Sequence, residues 1–331
     1  MKVRGHANGI KTLALFAVLW IIIFAVWFFT GHSRSTLGIY VLIAVGTTFF
    51  SYWFSDSLSL ASMQAREVSE QEQPRLYAIV RELSQRAGKP MPRIYVAPTM
   101  SPNAFATGRN EHHAAVCCTQ GILDMLDDRE IRGVLGHELM HVYNHDILTS
   151  SIASAMSMVI TYLAYSLRFF GGSSRDNDRN SGPIAAIGGL LAIVLAPIGA
   201  SLVQMAISRT REYDADEDGS VLSGDPMALA SALYKIEYGV QQIPLRKTAG
   251  TENVSAMMIS SPFRMQDINR LFATHPATQD RIARLQQMAV DMGQSADMNF
   301  GYNAPYQQGA SSSGYPTGGG NYPQQGGYQQ Y

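Results

Sequence analysis

Three residues with the chemistry of a hydrolytic metal site lie close together in the stretch LGHELMHVYNHD, from Leu135 to Asp146. His137 and His141 are four residues apart, and Glu138 follows the first histidine. Side chains four residues apart on a helix lie one above the other, so two imidazoles could grip one zinc ion while the glutamate points at the ion's open position. The pattern therefore predicts two metal ligands and a general base. The alternative is an ordinary helix with histidines that face solvent.

A third ligand has to come from another part of the chain. His145 repeats the four-residue spacing, but on a straight helix it lies about 12 Å from His137, whereas a zinc–nitrogen bond is about 2.1 Å long. The acidic run SRTREYDADEDGS places Glu212 and Asp216 four residues apart, as expected of a ligand and a carboxylate that orients a ligand histidine. A solvated acidic helix start is the alternative. Spacing alone does not choose among Glu212, Asp214, Asp216 and Glu217.

The elements that would position these residues are a long helix and a small sheet. Asp127 and Glu130 are spaced as in a capping box, which predicts a helix that starts there and runs through the histidines to Ile147. Before it, the pattern between Pro74 and Gly88 predicts an amphipathic helix. Three short runs, RIYVAP, NAFATG and HAAVCCT, predict strands, and the polar RNEHH between the last two indicates a hairpin.

Several long stretches without charge indicate a membrane protein. Residues 13–30 and 37–54 are each long enough to cross the hydrocarbon core, and we interpret them as a membrane hairpin. A signal peptide is the alternative for the first stretch. Two further uncharged stretches lie within residues 147–207. They are rich in Ser, Ala and Gly, which suits helix packing inside a membrane as well as shallow or re-entrant insertion.

The distribution of charge predicts the orientation in the membrane. Lys2, Arg4 and Lys11 lie at the start of the first span, only Arg34 lies in the loop that follows, and basic residues return after the second span. The positive-inside rule then puts both ends of the hairpin in the cytoplasm. With 25 basic and 26 acidic residues in total, the chain gives no reason to expect nucleic acid as a partner.

These features divide the 331-residue chain into five segments. Residues 1–56 are predicted to form a transmembrane hairpin, 57–146 the first part of a soluble domain with the histidine motif, and 147–207 a second transmembrane hairpin. Residues 208–290 are predicted to form the second part of the soluble domain. Residues 291–331 are rich in Gly, Gln, Tyr and Pro and are predicted to be disordered.

The order of the motifs resembles the HtpX-like integral-membrane zinc endopeptidases, relatives of the CAAX prenyl proteases. The motifs are PNAFATG, GILDML, VLGHELMHVYNHD, SRTREYDADEDG and THPATQDRIARL, and the resemblance covers roughly residues 1–290. It implies an α+β fold that is mainly helical. The expected architecture is a membrane-anchored, zincin-like metalloprotease domain with a small β-sheet and about four transmembrane helices.

The resemblance also implies roles for individual residues. The expected ligands of one zinc ion per chain are His137, His141 and Glu212. The expected catalytic residues are Glu138, as general base, and His275, which would stabilise the transition state. Residues expected to support the ligands are Asp216 and Arg281, although a packed His-Pro turn with a surface arginine is an alternative for His275 and Arg281. The strand against which a peptide substrate would lie extended contains Asn103, Ala104 and Phe105.

The activity that the resemblance implies is hydrolysis of peptide bonds in damaged or misfolded membrane proteins as part of a stress response. The expected partners are membrane-protein or unfolded polypeptide substrates and the lipid bilayer. The protein would lie in the bacterial inner membrane, crossing it several times, with its active site facing the cytoplasm. The alternatives are a dedicated processing protease of the CAAX type and a catalytically silent membrane scaffold, although a scaffold has no need for Glu138. Nothing in the sequence indicates an oligomeric state.

Overall fold

The computed structural model of the protein describes residues 8–29, 33–172, 209–263 and 276–297. This part of the chain is mainly helical. The helices before the motif are α1 (Asn8–Phe29), α2 (Arg34–Trp53), α3 (Ser55–Ser62), α4 (Pro74–Ala87) and α5 (Gln120–Met125). The motif helix and those after it are α6 (Asp128–Tyr143), α7 (Asp146–Gly172), α8 (Arg209–Ser223), α9 (Pro226–Gln242), α10 (Ala249–Val254) and α11 (Thr278–Asp291).

A mixed four-stranded sheet lies beside the motif helix. Its strands are β1 (Arg66–Glu67), β2 (Arg93–Ala97), β3 (Ala104–Gly108) and β4 (Ala114–Thr119), in the spatial order β1-β2-β4-β3. Strands β2 and β4 are parallel, whereas β3 and β4 form the predicted antiparallel hairpin, with Phe105 opposite Cys117. The three predicted strands are confirmed. Because β3 is the outermost strand, one of its edges faces away from the sheet and towards α6 and α7.

The two helices predicted around the site begin where their local sequence indicates. Helix α4 begins with Pro74 and ends at Gly88, whose positive φ of 64° is a conformation that glycine adopts without steric cost. Helix α6 begins with the predicted capping box, in which Asp127 accepts a hydrogen bond from the Glu130 amide and Glu130 accepts one from the Asp127 amide.

The motif helix is shorter than predicted. It ends at Tyr143, not at Ile147, because His145 adopts a positive φ of 60° and breaks the helical path before α7 starts at Asp146. A non-glycine residue rarely adopts this conformation, since its Cβ crowds the backbone. The break sends α7 in a new direction and leaves the His145 side chain exposed.

Within the described residues, two helices are long and apolar enough to cross a membrane. They are the segment Asn8–Ala25 of α1 and the whole of α2, Arg34–Trp53. Most of their side chains face outwards, and large apolar ones such as Ile10, Leu13 and Leu42 are exposed, as expected of surfaces that meet lipid.

The second predicted hairpin, residues 147–207, is described only in part. Its first section forms α7, and side chains up to Ile160 are mostly buried against α1, α3, β3 and α10. The rest of that hairpin, from residue 173, and the tail from residue 298 lie outside the described residues.

Candidate metal centre

The motif helix α6 is held rigidly at its start. The carboxylate of Glu130 completes the capping box. It also accepts a hydrogen bond from Ser231 Oγ and forms an ion pair with Lys235 Nζ, each at 2.6 Å. Ser231 and Lys235 belong to α9, so this buried carboxylate fastens α9 to the first turn of α6. From Gly133 to Met140 every side chain of the helix is buried. The two histidines therefore lie on a helix with little freedom to move.

A close contact between two glycines sets the distance between α6 and α8. A Cβ atom on Gly219 would lie only 2.7 Å from the backbone nitrogen of His137, and one on Gly136 would lie 2.8 Å from the carbonyl oxygen of Gly219. The two helices thus approach backbone to backbone. Glu212 and Asp216 precede Gly219 on the same face of α8. The close approach of the two helices therefore places both carboxylates near His137.

Three side chains converge where the two helices meet. The Nε2 atoms of His137 and His141 are 3.2 Å apart, and the carboxylate of Glu212 lies 3.8 Å from the first and 3.6 Å from the second. Two atoms bound tetrahedrally to one zinc ion at about 2.1 Å are separated by about 3.4 Å. All three separations are close to that value. The cluster therefore fits one tetrahedral cation with a fourth position left for another ligand.

Asp216 fixes the ring of His137 from behind. Its Oδ1 lies 2.9 Å from His137 Nδ1, so the imidazole donates through Nδ1 and presents Nε2 to the cluster. The fully buried guanidinium of Arg281 donates to both oxygens of Asp216, at 2.6 and 2.8 Å, and to the carbonyl oxygen of Ile259. Burial lowers the pKa of His137, which favours the neutral form that binds metals, although Asp216 opposes the shift.

Asp146 holds the second histidine in the same manner, and the sequence analysis missed it. Its Oδ2 lies 3.2 Å from His141 Nδ1. Burial lowers the pKa of His141, but the hydrogen bond that its Nδ1 donates to Asp146 and the charge of Glu212 outweigh it and raise the pKa to about 9. The only sequence signal was the final residue of LGHELMHVYNHD, which no helical spacing connects with His141.

Glu138 occupies the position expected of a base. Neither oxygen of its carboxylate accepts a hydrogen bond of ordinary geometry within the described chain, and the residue is almost fully buried. Burial raises the pKa of Glu138 to about 8, with the positive charge of His141 opposing the shift. A cation bound beside it would also favour the ionised form. The backbone amide of Ala106 also favours the ionised form of Glu138. A buried carboxylate next to a cation site is equipped to accept and release a proton.

Comparison with known proteins assigns the family. Residues 70–289 match the sequence pattern of peptidase family M48. The chain belongs to peptidase family M48. A protein named Protease HtpX homolog from Bifidobacterium longum is 70% identical over 87% of this chain and 94% of its own length. Proteins of the same name from Pseudarthrobacter chlorophenolicus and Ralstonia nicotianae are 61% and 47% identical over 86% and 85% of this chain and 97% of their own lengths. No solved structure matches the chain.

Membership of M48 makes the protein a metalloprotease, and its high identity to the HtpX homologues together with the two apolar helices makes it membrane-associated. The predicted resemblance to HtpX-like peptidases is therefore confirmed. The cluster of His137, His141 and Glu212 is the one group of potential metal ligands found among the described residues. Of the other acids on α8, Glu217 is exposed and Asp214 is half-buried, and neither belongs to the cluster.

The structure does not describe one of the residues predicted to belong to the site, and it shows another predicted set buried in the sheet. His275 falls outside the described residues, so its predicted role stays a prediction. Asn103, Ala104 and Phe105 are fully buried, and this part of β3 is already paired with another segment. The Ile259 amide donates to the Ala104 carbonyl, Phe105 forms an antiparallel bridge with Met258, and Asn103 Nδ2 donates to the Ser260 carbonyl.

An opening beside the cluster leads to the next residue of the edge strand. It is lined by His141 and Glu212, by Ala106 of β3, and by Ile147, Ser150, Arg211 and Met257 among others. Further along β3, the Gly108 amide donates to Ser151 Oγ. Ala106 thus lies between two occupied positions of the strand edge. The chain's own segment 258–260 pairs with Asn103, Ala104 and Phe105, and their predicted role in substrate binding stays a prediction.

Proposed function

We propose that the protein is a zinc endopeptidase of the bacterial inner membrane that hydrolyses peptide bonds of damaged or misfolded membrane proteins. One observation carries the proposal. The Nε2 atoms of His137 and His141 and the carboxylate of Glu212 surround a point suited to one tetrahedral ion, and the buried carboxylate of Glu138 is close enough for the charges of His141 and Glu212 to shift its pKa. Two imidazoles and one carboxylate with an open fourth position form the ligand set of a catalytic zinc site.

Different residues of the chain have different proposed roles in hydrolysis. A zinc ion held by His137, His141 and Glu212 would polarise the scissile carbonyl and lower the pKa of the attacking water. Glu138 takes the proton from that water and later passes it to the leaving amine. Its buried position keeps it close to the reacting atoms and away from competing solvent. His275 is proposed to donate a hydrogen bond to the oxyanion, as the resemblance implies.

A substrate would reach the site as an extended peptide. The opening beside His141 and Glu212 is bordered by Ala106, whose place on an edge strand suits hydrogen bonding to a peptide backbone. Unfolded or misassembled polypeptides expose extended segments far more widely than folded proteins do, which supports these as the substrates. Segment 258–260 pairs with residues 103–105, which precede Ala106 on β3. A peptide that extended along these residues would therefore have to displace that segment.

The packing of α7 supports a protein that crosses the membrane more than twice. Helices α1 and α7 run side by side in the same direction, since Asn8 contacts Asp146 and Thr12 contacts Thr149 one turn further on. If α1 enters the bilayer, α7 enters beside it, which supports the predicted hairpin at 147–207. The metal centre lies at the start of α1, the end that the positive-inside rule assigns to the cytoplasm. On this basis we retain the five proposed segments.

The first test compares the wild-type protein with Glu138→Gln. Both are purified in detergent, treated with a chelator and reloaded with zinc, and then assayed for zinc content and for cleavage of casein. We expect both to bind about one zinc per chain and only the wild type to cut, with a loss of at least about 100-fold for removal of a general base. Glu217→Gln, at an exposed acid of α8, is the matched control and should retain both properties.

The other outcomes each reject part of the proposal. Cleavage by Glu138→Gln at the wild-type rate would exclude Glu138 as the base. A wild type that binds no zinc would exclude the metal centre. If both proteins bind zinc and neither cuts, the catalytically silent scaffold becomes the better interpretation. Unfolded and folded forms of one reconstituted membrane protein then test the substrate, since only the unfolded form should be cut.

A further inference from the structure

The ring of His141 is held by a residue outside the motif. Its Nε2 faces the metal cluster, and its Nδ1 lies 3.2 Å from Oδ2 of Asp146, which is almost fully buried. A ligand histidine whose other nitrogen donates to a carboxylate is fixed in tautomer and orientation, and it is also a stronger ligand. Asp216 makes the corresponding contact with His137.

The chain has to bend sharply for Asp146 to make this contact. Side chains five residues apart on a straight helix point about 140° away from each other. The positive φ of His145 ends α6 and starts α7 in a new direction, which returns the carboxylate of Asp146 to the histidine one turn before the break. The uncommon backbone conformation of His145 therefore has a local consequence at the metal centre.

The second oxygen of Asp146 is bound by the first residue of α1. Asn8 Nδ2 donates to Asp146 Oδ1 at 2.9 Å and lies 3.3 Å from the His145 carbonyl oxygen. A carboxylate only accepts hydrogen bonds, so the amide nitrogen of Asn8 has to face Asp146. Arg211 Nη1 approaches Asn8 Oδ1 at 3.4 Å and Asp146 Oδ1 at 3.6 Å. The side chain of Asn8 thus spans the turn between α6 and α7.

Packing of α1 against α7 sets the position of Asn8. The hydroxyls of Thr12 and Thr149 are 3.1 Å apart, and Thr149 also donates to the Asn8 carbonyl oxygen. Beyond them the two helices share one buried apolar cluster, formed by Leu15, Leu19, Ile152, Ala153, Met156 and Ile160. A continuous set of contacts therefore runs from the interface of α1 and α7 through Asn8 and Asp146 to His141.

We propose that Asp146 is a positioning residue for the metal ligand His141 and that Asn8 holds Asp146 in place. The seating of the first membrane helix against α7 then sets how tightly the centre binds its metal. This inference rests on the proposed zinc site and extends it to the membrane anchor. It predicts that a single side chain on α1 changes zinc affinity without contacting the metal.

The test measures zinc affinity of the full-length protein in detergent by competition with a chromophoric chelator. The variants are Asp146→Ala, Asp146→Asn, Asn8→Ala and the double variant Asp146→Ala with Asn8→Ala. Thr48→Ala is the matched control, because it removes a hydroxyl that accepts a hydrogen bond from Trp20 of α1 in the interface with α2, away from Asn8. Thermal unfolding and the absorption spectrum of the cobalt-substituted protein are recorded for each.

We expect Asp146→Ala to lower zinc affinity about 10- to 100-fold, the usual effect of removing a carboxylate that orients a ligand histidine. Asn8→Ala should lower it about threefold to tenfold, as expected for one lost hydrogen bond. The double variant should bind no more weakly than Asp146→Ala, since Asn8 acts through Asp146. The cobalt spectrum should shift in both Asp146 variants, kcat should fall more than KM rises, and Thr48→Ala should match the wild type.

Specific results would overturn the inference. Wild-type zinc affinity and an unchanged cobalt spectrum in Asp146→Asn and Asn8→Ala would reject it, even if Asp146→Ala does not fold. Fully additive losses in the double variant would show that Asn8 does not act through Asp146. An equal loss in Thr48→Ala would assign the effect to general destabilisation of the membrane hairpin. A wild type that binds no zinc would reject both the proposed function and this inference. If the wild type binds zinc and cuts, the proposed function stands, and the variants then test the inference alone.

Discussion

At the scale of single residues, each histidine of the proposed centre is oriented by a carboxylate that contacts its Nδ1 atom. His137 is held by Asp216, whose charge is balanced by the buried Arg281, and His141 is held by Asp146. Glu212 differs from the other acids of its helix because it alone among them reaches both Nε2 atoms. A ligand that contacts the ion directly contributes more to affinity than a residue that orients a ligand.

Glu212→Ala should therefore abolish stoichiometric zinc binding. The expected metal content is well below one ion per chain after dialysis, because two histidines alone leave the tetrahedral site incomplete. Metal content is measured on the purified protein, with Glu217→Ala as the control from the exposed face of the same helix. Full zinc content in Glu212→Ala would move the third ligand to a neighbouring acid.

At the scale of elements, the centre depends on how closely α6 and α8 approach. The backbone of Gly219 fills the space where a side chain would otherwise separate the helices, with a substituted Cβ only 2.7 to 2.8 Å from His137 and Gly136 backbone atoms. Backbone atoms of two packed helices have little room to yield. The distance from Glu212 to the histidines is consequently fixed by a glycine on each helix.

Gly219→Ala should weaken both folding and metal binding. Overpacking costs about 1–3 kcal/mol, which exceeds the gain of up to about 1 kcal/mol from replacing glycine by alanine in a helix. We expect a lower unfolding temperature and weaker zinc affinity, both measured in detergent. Gly46→Ala is the control, because a Cβ at that position of α2 meets no atom within 4 Å. Identical behaviour of the two variants would show that α6 and α8 can separate without harm.

At the scale of the whole molecule, the membrane hairpin and the metal centre form one unit. Asn8 at the start of α1 contacts Asp146, and α3 follows directly after α2, so both ends of the hairpin lie on the side of the centre. The basic residues before α1 support the proposal that the centre faces the cytoplasm. The native thiols, Cys117 and Cys118, are buried and do not interfere with surface labelling.

Thiol labelling of intact cells tests this arrangement. A reagent that does not cross membranes should label Ser33→Cys, which lies exposed between α1 and α2, and should label Ser295→Cys, exposed after α11, only once the cells are opened. Ser174→Cys, between the two later hydrophobic stretches, should be labelled from outside if both stretches span. Labelling of Ser295→Cys in intact cells would place the centre outside, and protection of Ser174→Cys would favour shallow insertion.

The sequence by itself determined the local features of this protein. The four-residue spacing of His137 and His141, the capping box at Asp127 and the apolar lengths of α1 and α2 each depend on residues close together in the chain. Helix period, cap chemistry and bilayer thickness convert such patterns directly into structure.

Only the tertiary structure decided which distant residues complete the site. The spacing on α8 left four acids open, and the glycine contact with α6 brings Glu212 to the cluster. The positive φ of His145 brings the carboxylate of Asp146 to His141, and a hydrogen bond from Asn8 holds that carboxylate in place. Segment 258–260 occupies the strand edge that the sequence assigned to substrate. These contacts join positions up to 157 residues apart and depend on packing that no local pattern encodes.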